Sequence, residues 1–269
     1  MKTPKTLTLE VMEFYLDKHS HLTHFTIGKS LMGNPLYALA LGEGEPRVLY
    51  VATHHALEWI CGHLLLHFAE EYTKRSAENQ APPGTIYLVP LLNPDGVQLH
   101  ASGITLFSHW QANARGVDLN HNYPAGFSAY KNIERELGIL GGAPTRFSGE
   151  SPLSEPETAY LISAIQTLGI QGILTLHTQG REIYGGAKKT ATILARRTGY
   201  VYTQPQGTAA YGGLTDYMNI IGIPCLTLEC GSGVNPLPPC CFSSLVEETA
   251  PFLWKFPLLL KKYEQIVNL

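Results

Sequence analysis

The chain has 269 residues, 44% of them hydrophobic, which is enough to bury the core of one α/β domain or two small ones. Its formal net charge of −3 excludes the basic surface typical of proteins that bind nucleic acid or anionic membranes. The first residues contain no apolar run like that of a signal peptide, and no segment has the length of a membrane span. Five cysteines without framework spacing indicate reduced thiols, so we expect a cytoplasmic protein.

Helical and strand patterns alternate along the first part of the chain. They predict a surface helix over 8–19, a hairpin of strands 22–29 and 36–41, a strand over 47–52, an apolar helix over 57–74 and a strand over 85–91. Residues 97–150 are rich in Gly and Pro and are predicted to be irregular. A loop of that length inside a compact domain is usually functional or disordered.

The second part of the chain continues the alternation. Ser154 and Glu157 have the spacing of a capping box and predict a helix that ends near residue 167. The remaining patterns predict a strand over 171–176, a helix over 188–198, a strand over 223–229 and a last helix over 243–262. We found no repeats and no linkers, so residues 1–269 are predicted to form one α/β domain, a mixed β-sheet flanked by helices on both faces.

Polar side chains occur where the predicted strands end. His55, Asn93, His177 and Glu229 all lie at or just past the carboxyl end of a strand. In open α/β sheets the ligand site lies beyond this edge. The four residues are therefore predicted to collect at one site.

His55, Glu58 and His177 together supply two histidines and one carboxylate, the ligand set of a hydrolytic zinc ion with a fourth position for water. Simpler readings exist for each residue. Glu58 could only stabilise a helix start, His177 could be a core histidine, and His54 could share a helix face with Glu58. Glu229 is harder to explain away, because a carboxylate in so apolar a strand must be paired, coordinated or protonated.

Taken together, these residues resemble the zinc carboxypeptidase family, the carboxypeptidase A-like metallopeptidases, along nearly the whole chain. The resemblance rests on His-x-x-Glu-Trp at 55–59, Asn-Pro-Asp-Gly at 93–96, Gly-Val-Asp-Leu-Asn at 116–120 and Ser-Glu-Pro-Glu-Thr at 154–158. It selects His55 over His54 and implies one Zn²⁺ per chain, held by His55, Glu58 and His177. It also implies a carboxypeptidase A-like fold.

The resemblance further implies roles in catalysis. Glu229 becomes the general base that takes a proton from the attacking water. Arg115 is our choice for the arginine that stabilises the oxyanion, and a surface loop cation is the alternative reading. Asn120 is expected to hold a substrate carboxylate, whereas Asp118 is expected to be structural.

Departures from the family pattern narrow the predicted function. Family carboxypeptidases usually have Asn-Arg-Asn, whose arginine clamps the substrate's α-carboxylate, but here His121 takes the place of that arginine. The family's flexible tyrosine has no clear match near Thr208, and Tyr211 and Tyr217 are the candidates. Four segments, at 54–59, 115–120, 211–217 and 235–238, resemble the bacterial γ-D-glutamyl-meso-diaminopimelate peptidases, which cut cell-wall peptides.

This branch implies a peptide or muropeptide substrate that carries several carboxylates, so cations should line the pocket. We expect Arg146 and Arg181 to supply them, with His121 and Tyr211 also in contact with the substrate. Three alternatives remain open from the sequence. They are a general metallocarboxypeptidase, a zinc amidohydrolase of small N-acyl amino acids, and an inactive muropeptide-binding module.

Overall fold

An eight-stranded mixed β-sheet forms the centre of the protein. The structure, a computed structural model, describes residues 3–104, 107, 109–139, 141–205 and 211–267, with side chains as far as residue 260. The strands are β1 (Thr23–Lys29), β2 (Pro35–Glu43), β3 (Arg47–Ala52), β4 (Gly84–Val89), β5 (Gly172–His177), β6 (Glu182–Tyr184), β7 (Val201–Tyr202) and β8 (Cys225–Glu229). Their order across the sheet is β1-β2-β4-β3-β5-β8-β6-β7.

The four middle strands, β4, β3, β5 and β8, run parallel to one another. On one side β2 pairs antiparallel with β4 and β1 pairs antiparallel with β2, and on the other side β6 pairs antiparallel with β8. All six residues of β5 are buried, as expected of a parallel strand covered on both faces. The carboxyl ends of the four parallel strands therefore meet along one edge of the sheet.

Helices cover both faces of the sheet. They are α1 (Leu9–Lys18), α2 (Ile60–Ala77), α3 (Pro94–Ala101), α4 (Phe127–Leu137), α5 (Pro156–Thr167), α6 (Lys188–Thr198), α7 (Leu214–Ile220) and α8 (Phe242–Val267). Alternate residues of β3 point to opposite faces. Val48 and Tyr50 pack in one core cluster with α1, α2, α6 and α8, whereas Leu49 and Val51 pack in a second cluster with α5 and α7.

The prediction that residues 97–150 are irregular is wrong over two helices, α3 and α4. The Asn93 side chain accepts a hydrogen bond from the Gly96 amide at 2.9 Å and so caps α3. The residues that α4 buries are Tyr130 and Glu134. Phe127, Tyr130 and Leu137 recur at the spacing of an amphipathic helix, a pattern that the prediction of an irregular segment overlooked.

The predicted capping box at the start of α5 is also wrong in detail. The helix begins at Pro156 and its N-cap is Glu155, without a side-chain capping bond. The Ser154 hydroxyl instead donates to the Glu155 carboxylate at 2.8 Å. Proline at the first helical position sets the start of this helix.

Two further observations concern the expected cellular setting. In the part of the chain that the structure describes, no helix combines the length and the apolar composition needed to cross a lipid bilayer. All five cysteines are free.

Candidate active site

Two neighbouring strands and one turn bring the predicted metal ligands together. His177 is the last residue of β5 and lies opposite Glu229, the last residue of β8, in the strand register. The chain leaves β3 through Thr53, which has a φ of 60°, and forms a short 3₁₀ turn over Ala56–Glu58 before α2 begins. This turn places Glu58 beside the ends of the parallel strands.

The side chains of His55, Glu58 and His177 converge. One Glu58 oxygen lies 3.0 Å from His55 Nδ1, the other lies 2.9 Å from His177 Nδ1, and the two Nδ1 atoms are 3.3 Å apart. Ligands about 2.1 Å from a common tetrahedral zinc are roughly 3.4 Å from one another. The two Nδ1 atoms and the two Glu58 oxygens are thus close enough together to surround one zinc ion.

The outer nitrogens of both histidines have their own partners. His55 Nε2 lies 3.1 Å from Asp118 Oδ1, and His177 Nε2 lies 3.0 Å from the Thr175 hydroxyl. A carboxylate only accepts hydrogen bonds, so the Nε2 atom of His55 carries the proton. When His55 is neutral, its Nδ1 atom therefore carries a lone pair, which is directed at the centre of the three side chains.

The site also stabilises positive charge. Burial lowers the pKa of His55, but the nearby Glu58 and Asp118 carboxylates outweigh it and hold that pKa well above its usual value. Burial likewise opposes ionisation of Glu58, yet His55 and His177 lower its pKa to about 2. A group that favours a cation at its centre fits a divalent metal, which displaces the proton on binding. These three residues form the one such group of possible metal ligands among the described residues.

Asp118 is buried and connects His55, one of the predicted metal ligands, to neighbouring loop residues. Besides His55, four groups donate to its carboxylate: the Asn120 amide, the Gln111 side chain, the Thr145 hydroxyl and the Arg146 amide. Burial opposes ionisation, but the charge of His55 keeps the pKa of Asp118 below its usual value. The expectation that Asp118 is a loop carboxylate therefore missed its contact with a metal ligand.

This contact gives a testable prediction. Asp118→Ala is expected to weaken zinc affinity by about 10–100-fold, because a ligating histidine that loses its carboxylate partner is less basic and less well oriented. Competition with a chromophoric chelator measures the affinity. Asp95→Asn is the matched control, since Asp95 is equally buried but bonds to Ser30 and Asn34 instead. Unchanged zinc affinity in Asp118→Ala would contradict the assigned role.

A cavity of about 650 Å³ opens beside the metal ligands. His55 and Glu229 form part of its wall, and Tyr184, Thr227 and Asp216 line it as well. Burial raises the pKa of Glu229 to about 8, and the negative charge of Glu58 adds to the rise. A cation at the neighbouring ligands would favour the ionised form that a general base requires.

Asn120 and His121, two of the predicted substrate-binding residues, line this cavity. The Asn120 side-chain oxygen accepts from the Leu214 amide at 3.1 Å, which leaves its NH₂ group as a donor. His121 Nδ1 lies 2.8 Å from the Tyr211 carbonyl, which can only accept, so that nitrogen carries a proton. The ring also stacks on Tyr130, 4.2 Å away. Neutral His121 therefore has only a lone pair left at Nε2.

Arg146 is the arginine that the structure brings to the cavity. Its backbone has a φ of 68°, in the left-handed region, and is held at both ends. Its amide donates to Asp118 at 3.0 Å, and its carbonyl accepts from the Tyr130 hydroxyl at 2.8 Å. These two bonds fix the backbone of this exposed residue.

Three other predicted residues are not among those that line the cavity. Arg115 is half exposed, and its Nε lies 3.6 Å from Glu155. Arg181 lies 3.6 Å from Glu248. The Tyr211 ring packs over Gly126, where a β-carbon would lie 2.6 Å from the ring. The position near Thr208 lies outside the described residues.

Among the cavity residues absent from the predicted site are Gln111, Tyr184 and Asp216. Gln111 belongs to none of the recognised segments. Tyr184 lies on β6, a strand of three residues that is too short for a periodic signal. Asp216 falls inside the segment 211–217, but nothing in that segment distinguishes a cavity residue from a helix cap.

Comparison with known sequences identifies the family. The family described as zinc carboxypeptidase matches residues 8–211. The chain is 30% identical over 259 residues to γ-D-glutamyl-L-diamino acid endopeptidase 1 of Lysinibacillus sphaericus, a match that covers 82% of this chain and 64% of the relative. The chain therefore spans just under two thirds of that relative's length.

Solved structures agree with the fold. Bovine thrombin-activatable fibrinolysis inhibitor is similar over 96% of this chain and 98% of its own, with a TM-score of 0.78 and 19% identity. A murein-tripeptide amidase of Escherichia coli O157 is similar over 88% and 91%, with a TM-score of 0.58 and 23% identity. The predicted carboxypeptidase A-like fold is confirmed. The chain belongs to the zinc carboxypeptidase family of metallopeptidases.

Proposed function

We propose that this protein is a zinc-dependent peptidase of bacterial cell-wall peptides that cuts the bond between γ-D-Glu and meso-diaminopimelate. The observation that carries the proposal is the pairing of a complete ligand group and general base with His121, which replaces the arginine clamp of ordinary carboxypeptidases. The named activity of the Lysinibacillus sphaericus relative supports the bond, and the named activity of the Escherichia coli amidase supports the substrate class. Five free thiols suit the cytoplasm, where soluble muropeptides would be the substrates.

His55, Glu58 and His177 would hold the zinc ion. When bound there, zinc lowers the pKa of a water molecule and polarises the scissile carbonyl. Glu229 then accepts a proton from the attacking water and delivers it to the nitrogen of the leaving amine. Its place at the cavity wall, opposite His177 in the sheet, suits both transfers.

Negative charge develops on the carbonyl oxygen during the attack and needs donors close to the reacting group. The sequence predicts Arg115 for this role, but its half-exposed side chain is directed toward Glu155. Gln111 lines the cavity with His55, and we propose that its side-chain NH₂ group supplies a donor.

Substrate carboxylates require donors at the cavity wall as well. We propose that the NH₂ group of Asn120 and the guanidinium of Arg146 bind them, with Arg181 as a more distant cation. Arg146 makes no ion pair with any residue that the structure describes, so its charge remains available to a ligand. Arg181 would first have to leave Glu248.

The decisive experiment compares kcat/KM for L-Ala-γ-D-Glu-meso-diaminopimelate with that for a blocked C-terminal dipeptide of ordinary L-residues. We expect the muropeptide to be cut much faster, because His121, whose Nδ1 proton is donated to the Tyr211 carbonyl, lacks the two-donor fork by which an arginine binds a free α-carboxylate. Equal values, or a preference for the dipeptide, would show that the protein is a general carboxypeptidase.

A matched variant tests the reason for this preference. His121→Arg restores the charged fork and should raise kcat/KM for the blocked dipeptide by roughly tenfold or more, the usual gain from a hydrogen bond to a charged group. Zinc content, measured in parallel, controls for damage to the metal site. No gain in a zinc-loaded variant would contradict the role given to His121.

A further inference from the structure

We infer that Asn235 is a positioning residue that holds Glu58 and the chain beside His177 in the arrangement that binds zinc. The inference rests on the proposed function, because it concerns the same metal ligands. Asn235 opens the segment 235–238, one of the four that resemble the bacterial peptidases, and the proposed mechanism gives it no part. Its side chain is half-buried and contacts the strand end and the turn that carry these ligands.

The first contact of Asn235 is with Thr178, the buried residue that follows His177 at the end of β5. The Asn235 Oδ1 atom accepts from the Thr178 hydroxyl at 2.6 Å, and its Nδ2 atom donates to the Thr178 carbonyl at 2.8 Å. A carbonyl only accepts hydrogen bonds, so the amide nitrogen has to face it, and the oxygen then faces the hydroxyl. Two bonds from one side chain therefore fix the course of the chain directly after His177.

The second contact of Asn235 is with a metal ligand itself. Its Nδ2 atom lies 3.4 Å from Glu58 Oε1, the oxygen that also lies 3.0 Å from His55 Nδ1. An amide NH₂ group carries two hydrogens, so it can donate to the Thr178 carbonyl and to Glu58 at once. Carboxylates that bind metals are commonly oriented by such a donor. An uncharged donor also adds no positive charge that would oppose a metal ion.

The other ligands are oriented by different groups, which leaves this task to Asn235. Asp118 lies against the outer nitrogen of His55, and Thr175 lies against that of His177. Glu58 contacts both histidines, and in the described part of the chain Asn235 is the further side chain that hydrogen-bonds to its carboxylate. Leu237, two residues after Asn235, is buried in the core and anchors the segment.

Zinc affinity tests the inference without a substrate. Asn235→Ala is expected to weaken zinc binding by about 10–100-fold in competition with a chromophoric chelator, because Glu58 and Thr178 lose their common donor. The visible spectrum of the cobalt(II)-substituted protein, which depends on the arrangement of the ligands, should change in the same variant. Val234→Ala is the matched control, since Val234 is the preceding residue of the same loop and is 82% exposed. It should leave the affinity and the spectrum unchanged.

Thermal unfolding in excess chelator separates positioning from simple support of the loop. A less stable zinc-free Asn235→Ala protein that still binds zinc as tightly as wild type would overturn the inference. An equal loss of affinity in Val234→Ala would overturn it as well. A wild-type protein that binds zinc but does not cut the muropeptide would contradict the proposed function alone. A wild-type protein that binds no zinc would overturn both.

Discussion

Glu229→Gln is expected to keep the fold and the zinc ion but to lose hydrolysis by a factor on the order of 10²–10⁴. The amide has nearly the same shape as the carboxylate but cannot accept the proton of the attacking water. The measurement is kcat on the muropeptide with zinc content determined on the same sample. Because the residue ends a buried strand, a neutral side chain should not disturb the packing.

Glu182→Gln is the control for this variant. Glu182 lies opposite Glu229 in the antiparallel pairing of β6 with β8, so both variants remove one negative charge from the same place in the sheet. Of these two glutamates, Glu229 lines the cavity and Glu182 does not. The loss of hydrolysis in Glu182→Gln should therefore be far smaller. Near wild-type turnover by Glu229→Gln would show that Glu229 is structural and that another group moves the proton.

His177→Ala is expected to lose most of the bound zinc, whereas we expect one ion per chain in the wild-type protein. A catalytic zinc has only three protein ligands, and the remaining His55 and Glu58 would have to hold the ion with one ligand fewer. Elemental analysis of the purified protein gives the stoichiometry. Loss of the metal removes the activity with it.

His54→Ala provides the comparison, because His54 is equally buried and its ring stacks 5.3 Å from that of His177. Its Nε2 atom lies 3.0 Å from the Tyr123 hydroxyl and not near Glu58. We expect this variant to lose stability but to retain zinc. Stoichiometric zinc in His177→Ala, or loss of zinc in His54→Ala alone, would overturn the ligand assignment.

Two of the three metal ligands and the general base could be proposed from the sequence because each follows a strong apolar strand pattern. Parallel strands bring their carboxyl ends to one edge, so a residue at a strand end has a nearly fixed position. His55, His177 and Glu229 all meet this condition. The distance between them then depends on sheet geometry, which varies little between proteins.

The cavity wall could not be predicted in the same way, because loops and short elements form it. Whether Arg115 reaches the cavity depends on the path of its loop, and that path directs the side chain to Glu155. The direction of the Arg181 side chain could not be predicted for the same reason, since its partner Glu248 belongs to α8, far away in the sequence. Interactions between distant segments decide both cases, and no local pattern encodes them.

At position 146, thermal stability and the proposed activity favour different residues, because the backbone of Arg146 is left-handed. A side chain in this conformation costs about 1–3 kcal/mol relative to glycine, and the bonds to Asp118 and Tyr130 hold it in place. Selection of variants for heat resistance alone would favour glycine or asparagine here. Such a screen would yield a more heat-resistant protein that lacks the positive charge of Arg146. Residue 146 should therefore be kept unchanged when the protein is engineered for stability.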